Sequence, residues 1–174
     1  EAFRGVWEGD VVVVEHAVTN ADRTLGTSLS GALALEFGST PPRGHATVRL
    51  TGAAGQSLGA FLGHGIHLDL TGEANDYVGK GMAGGRIAVR PDPDQLPDPP
   101  GVRAPVLAGN TCLYGATGGE LYAAGGVGER FAVRNSGAVG VVEATGDHCC
   151  EYMTGGTVVI LGRIGYNLGA GMTG

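Results

Sequence analysis

One short phrase recurs along this chain: Met82-Ala83-Gly84-Gly85, Met153-Thr154-Gly155-Gly156 and Met172-Thr173-Gly174, with a weaker copy at Ala116-Thr117-Gly118-Gly119. Taking the first glycine of each copy as a corner, and adding Gly137 of Asn135-Ser136-Gly137, gives intervals of 34, 19, 18 and 19 residues. The long interval holds a Pro/Asp-rich insertion at 91–103; without it the interval falls to about 21. A fixed period of that size marks stacked repeats. Strand-like runs recur between the corners, so the fold expected is all-β: a single-stranded parallel β-helix of about six to seven coils. The whole chain, 1–174, reads as one domain. Residues 1–45 form an N-terminal strand and capping segment, and 46–174 form the coils. The structural corners are Gly84, Gly85, Gly118, Gly119, Gly137, Gly155, Gly156 and Gly174.

A real repeat places residues of one offset in one environment. Six residues before the corners lie Leu58 (counted from a degenerate corner at His64), Val78, Cys112, Phe131, Cys149 and Leu168, all apolar or thiol. These form the expected inward stack. Two before lie Leu62, Met82, Ala116, Asn135, Met153 and Met172, with Asn135 the exception. Eight before lie Gln56, Asp76, Asn110, Glu129, Asp147 and Tyr166, a polar column that points outward or forms a side-chain ladder. Strands are expected at 46–50, 66–70, 86–90, 121–124, 140–144 and 158–161. Ile66 to Leu70 alternates strictly, so one face is solvated. Val158-Val159-Ile160-Leu161 is apolar throughout, so both faces should be covered, the outer one by another domain or subunit. Before the repeats, Val11 to Val14 reads as a strand. Leu25, Leu29, Leu33, Ala34 and Phe37 then follow helical spacing up to Gly38. Such a helix could plug the open end of the stack.

Glycine makes up 34 of the 174 residues, roughly three times the usual ~7% share, without the three-residue period of collagen. It therefore serves tight turns and close backbone approach. Charged residues are only 16%, which points to a surface partly hidden against something else. The net charge of −6, with no Lys/Arg run, argues against nucleic acid. No apolar run reaches the ~20 residues of a membrane span, and no signal peptide is visible. Three cysteines, two of them adjacent, make no disulfide framework. The expectation is a reduced, cytoplasmic protein.

Asp147-His148-Cys149-Cys150-Glu151 is the densest group of reactive types. A thiol nucleophile needs a base and an orienting group, whereas the column test puts Cys149 in the interior with Cys112. His64, His67, His148 and the thiols lack the paired spacing of a metal site. Lys80 is followed by Gly81 where a phosphate-binding Walker loop needs Ser or Thr. The carboxylates Asp76, Glu129 and Asp147 share a column, and a carbohydrate-active enzyme on a β-helix would need such residues converging. The expected chemistry of this chain is therefore none: no catalytic, cofactor-binding or metal residues.

Several long stretches resemble the GXGXG repeats in the C-terminal domain of the glutamate synthase large subunit. They are Gly146-Asp147-His148-Cys149-Cys150-Glu151-Tyr152-Met153-Thr154-Gly155-Gly156 with residues 128–138 before it, and Gly165-Tyr166-Asn167-Leu168-Gly169-Ala170-Gly171-Met172-Thr173-Gly174 after it. Residues 20–31, 75–82 and 110–121 fit the same pattern. Cys149 departs from it, standing where the pattern has Gly. The resemblance implies a right-handed β-helix in an enzyme that makes two glutamates from glutamine and 2-oxoglutarate. Ammonia from an amidotransferase domain reaches a synthase domain carrying FMN and an iron–sulfur cluster, and this domain serves as a non-catalytic scaffold between them. The partners implied are those two domains and the small subunit. The ending at Gly174 reads as an excised segment of a longer polypeptide. Two other readings are the GXGXG component of another redox complex, such as formylmethanofuran dehydrogenase, and a β-helical carbohydrate-active enzyme.

Overall fold

Each alternating apolar run becomes a strand, and successive repeats pair in parallel. The computed structural model describes residues 2–95 and 105–174. In chain order the elements are α1 (Ala2–Glu8), β1 (Val11–Val18), α2 (Thr27–Phe37), β2 (His45–Ala54), β3 (Ile66–Ala74), β4 (Ala83–Arg90), a 3-10 turn (Pro93–Gln95), β5 (Val106–Ala108), β6 (Gly118–Val127), β7 (Ser136–Thr145) and β8 (Gly155–Ile160). The sheet runs β1-β2-β3-β4-β6-β7-β8, with β5 pairing beside it to β3 and β6. All the strands expected from the sequence form, and most run longer than their apolar alternation. Of the Pro/Asp-rich insertion, residues 96–103 lie outside the described residues.

The register turns the sequence repeat into columns. Val48, Leu68, Ile87, Leu121 and Gly140 stack in one inward column, and Leu50, Leu70, Val89, Ala123 and Val142 in another. Those of them from β3 to β7 are buried without exception. Gly140 shows how tightly the layers interlock: a methyl group there would come within 2.8 Å of the Phe131 ring. The adjoining Leu58, Val78, Cys112, Phe131 and Cys149 are buried. Leu168, expected to continue that stack, is instead 46% exposed, because no further layer of described chain lies above it.

Of the glycines read as corners, Gly85, Gly119 and Gly156 are left-handed, at φ 71°, 88° and 86°, but the longer bends are elsewhere. They lie just upstream, where residues of left-handed conformation alternate with others: Tyr77/Gly79/Gly81, Thr111/Leu113/Gly115, Arg130/Ala132/Arg134, His148/Cys150/Tyr152 and Asn167/Gly169/Gly171, after Ser57/Gly59/Phe61. Most of these residues are not glycine, and a left-handed non-glycine residue costs about 1–2 kcal/mol. The N–H groups of each triplet bond to the layers on both sides. Arg130 donates to the Asp147 carbonyl at 2.8 Å, Ala132 to that of Cys112 at 2.8 Å, and Arg134 to that of Glu151 at 2.9 Å. The same pattern recurs in the neighbouring repeats. Apart from Gly174, the glycines read as corners lie at the starts of strands, where backbones pass closely. A side chain on Gly118 would meet the Ala83 carbonyl at 2.6 Å, and one on Gly155 the Ser136 carbonyl at 2.6 Å.

The helix expected before the repeats is α2, ended by Gly38, whose N–H bonds to the Ala34 carbonyl. It docks on the bend of the second repeat. Thr27 Oγ1 donates to the Ala60 carbonyl and Ser30 Oγ to that of Phe61, while Ser30 Oγ accepts from Gly63 N–H. Leu35 on its outer side is 92% exposed. It is α1, which the sequence did not reveal, that packs against β1 and β2, burying Val6. Asn135, the polar exception in an apolar column, is fully buried. Its amide donates to the Ala138 carbonyl at 2.9 Å and its Oδ1 accepts from the N–H groups of Gly137 and Ala138.

Two substitutions test this account by chemical denaturation. Arg134→Gly relieves left-handed strain at an exposed site and is expected to stabilise the fold by up to about 1 kcal/mol. A loss of stability would refute the strain argument. Asn135→Ala strips the buried N–H and carbonyl of Ala138 of their partner and is expected to cost about 2–4 kcal/mol, at ~1–3 kcal/mol per unsatisfied group. A loss below ~0.5 kcal/mol would show that the amide is dispensable.

Candidate functional site

Alternation along the strands sends every second residue to the outer face of the sheet. One outward column runs Glu15, Arg49, Asp69, Ala88, Tyr122, Val141, Val159. Its neighbour runs Thr47, His67, Arg86, Glu120, Val139, Thr157. Charged side chains concentrate on β2 to β4 and apolar ones on β7 and β8, but Glu120 lies on β6, Thr157 on β8, and the exposed Val11 and Val13 on β1. Among the charges, Arg49 pairs with Glu15 at 3.0 Å and Arg86 with Asp69 at 3.4 Å. The His45 and His67 rings lie 4.7 Å apart. Burial, then the Arg86 guanidinium and His45, hold His67 below the ordinary imidazole value. Arg86 Nε is buried without a partner. On β8 and just beyond it, Val159 is 40% and Leu161 66% exposed, so the outer side of this run is uncovered within the chain.

The polar column is a ladder between layers. Asp76 Oδ1 accepts from Asn110 N–H at 2.7 Å, Asn110 Oδ1 from Glu129 N–H at 2.8 Å, and Asp147 Oδ1 from Tyr166 N–H at 2.7 Å. Each side chain caps the backbone of the next repeat, and the three oxygens serve structure rather than a converging acid–base pair.

The cluster at 147–151 is split by the bend. His148 and Glu151 turn outward and bond through Nδ1 and Oε1 at 2.7 Å. Cys149 and Cys150 turn inward, with Sγ atoms 3.5 Å apart. No Cys–His dyad is formed. Burial pushes the Cys112 thiol up to about 12. Between the adjacent thiols, the shared hydrogen bond couples the two ionisations, raising one thiol and lowering the other. All three cysteines are free. Among the described residues no group of three or more His, Cys, Asp or Glu side chains converges as metal ligands. His64 lies with its ring against Gly84, one strand from His67 and apart from His148.

The remaining feature is a cavity of about 370 Å³ at the β8 end of the stack, lined by Cys150, Met153, Val158, Ile160, Leu168 and Met172. The sequence did not point to it. It exists because the inward columns end there without a covering layer. No helix among the described residues is long and apolar enough to cross a membrane.

A family model described as the GXGXG motif matches residues 2–174. The chain is 58% identical over 159 residues to ferredoxin-dependent glutamate synthase 2 of Synechocystis sp., covering 91% of this chain and 10% of that protein. It is 53% identical over 159 residues to the chloroplastic ferredoxin-dependent glutamate synthase of Spinacia oleracea, covering 90% of this chain and 10% of that one. It is 52% identical over 168 residues to the NADH glutamate synthase of Schizosaccharomyces pombe, covering 96% and 8%. The chain thus spans about a tenth of the length of these relatives.

The His67 environment gives a pH dependence. Its folded-state value is depressed, so the neutral ring is the form the fold accepts. Below the unfolded value of about 6.5 the unfolded chain takes up a proton that the folded chain lacks, and stability falls. His67→Gln is expected to flatten that part of the urea-midpoint-against-pH curve. An unchanged slope would place the titration elsewhere.

Proposed function

The chain belongs to the GXGXG family of glutamate synthase domains, and from that membership we propose that it is a non-catalytic scaffold within such an enzyme. The parent reaction proposed is glutamine plus 2-oxoglutarate plus reductant to two glutamates. In this reading the domain holds the amidotransferase domain and the synthase domain in register. FMN and an iron–sulfur cluster belong to the synthase domain, the small subunit is a further partner, and the compartment is cytoplasmic. The fold proposed is a right-handed parallel β-helix of six to seven coils. It comprises one domain, 1–174, with 1–45 as cap and 46–174 as coils. Sequential parallel pairing at the repeat period supports this.

The observation that carries the scaffold reading is an apolar column on the outer sheet face. Tyr122, Val141 and Val159 form an exposed or half-exposed apolar column in one register. An apolar strip of this kind on a rigid sheet suits contact with another domain. Similarity at 52–58% to relatives named for ferredoxin and for NADH also fits a domain that does not handle the electron donor.

The test is Val159→Arg in the full-length enzyme that carries this segment. A surface change of this type alters folding stability by no more than about 0.5 kcal/mol. The expected result is an unchanged glutaminase half-reaction with fewer glutamates formed per glutamine consumed. Unimpaired coupling, or turnover of glutamine by the isolated chain, would refute the scaffold role.

A further inference from the structure

The adjacent thiols of Cys149 and Cys150 are used by nothing described above. Their Sγ atoms stand 3.5 Å apart. Adjacent residues keep their Cα atoms about 3.8 Å apart, below the ~4.4 Å minimum usual for a disulfide, so a direct S–S bond would be strained. Two sulfurs bonded at ~2.3 Å to one atom stand about 3.3–3.8 Å from each other for bond angles of about 90–110°, the lower part of that range being the pyramidal one. The observed separation therefore fits two sulfurs closing on one soft atom. Among the described residues no third His, Cys, Asp or Glu joins them. A centre with two open valences matches that donor set, and thiolates select soft partners.

We propose that Cys149 and Cys150 form a bidentate site for a thiophilic centre of the monosubstituted trivalent arsenical class. An R–As=O group reacts with the two S–H groups to form two As–S bonds. The arsenic–oxygen bond breaks, the two protons leave with that oxygen as one water, and arsenic stays trivalent. No oxidant or reductant is required. Cys150 lines the apolar cavity at the β8 end, beside Met153, Leu168 and Met172. The organic substituent points to that open side, and the two thiols close on arsenic in turn.

The probe is phenylarsine oxide on the purified protein without added thiol, read by intact mass and peptide mapping. One adduct per chain is expected, on the peptide holding both cysteines. A small dithiol should release it, and a monothiol should do so at least about 10²-fold more slowly than from Cys149→Ala or Cys150→Ala, the scale of an intramolecular second bond. Cys112, fully buried, gauges unfolding and should stay unmodified. No adduct, monothiol release as fast as from the single-cysteine variants, or adducts only where Cys112 also reacts would overturn the proposal. The mapping on unaltered protein decides it even if a variant fails to fold.

Discussion

The structure depends on hydrogen bonds that cross between layers at the bends. An isolated bend of alternating left-handed residues would be unfavourable, since Arg130, Ala132 and Arg134 each sit in a region that L-residues avoid. The bend survives because its N–H groups find carbonyls on both neighbouring repeats, Cys112 on one side and Asp147 and Glu151 on the other. No repeat can satisfy these groups alone. Strain and hydrogen bonding thus make the fold cooperative along the stack, beyond what strand pairing supplies. The polar ladder adds to it: Asp76, Asn110 and Asp147 each cap the backbone of the following repeat.

With the backbone fixed by its neighbours, side chains inside the bend are free to vary in size provided they fill the layer. The inward pair of each bend is Leu58 and Gly59, Val78 and Gly79, Cys112 and Leu113, Phe131 and Ala132, then Cys149 and Cys150. The pair differs in size from layer to layer, and close packing is kept by compensation from the strands. Phe131 takes the space that Gly140 leaves empty. Asn135 replaces a methionine or alanine because its amide closes a turn that the adjoining backbone would otherwise leave unpaired.

Much of this was legible in the sequence. The period located the repeats, the columns located the interior from Leu58 to Cys149, and the alternation of Ile66 to Leu70 named its solvated face. Glycine marked only part of the turning backbone: Gly85, Gly119 and Gly156 are left-handed, close backbone passage accounts for Gly118 and Gly155, and the bends just upstream tolerate Arg, His and Tyr, which carry no such mark. Helix α1 escaped because seven residues with one buried side chain carry no periodic signal. The cavity at the β8 end is a property of the stack's geometry rather than of any motif.

The outer face bears on the proposed role independently of the layers along the stack. Glu15 pairs with Arg49 and Arg86 with Asp69, so these charges are matched within the sheet. Beyond Asp69 that outward column runs Ala88, Tyr122, Val141 and Val159 with no charge among them, while Glu120 stands beside Tyr122 in the next column. An apolar strip on a rigid sheet is a common mark of contact with another protein surface. The scaffold proposal rests on that strip and not on the exposure of Leu168 and Met172.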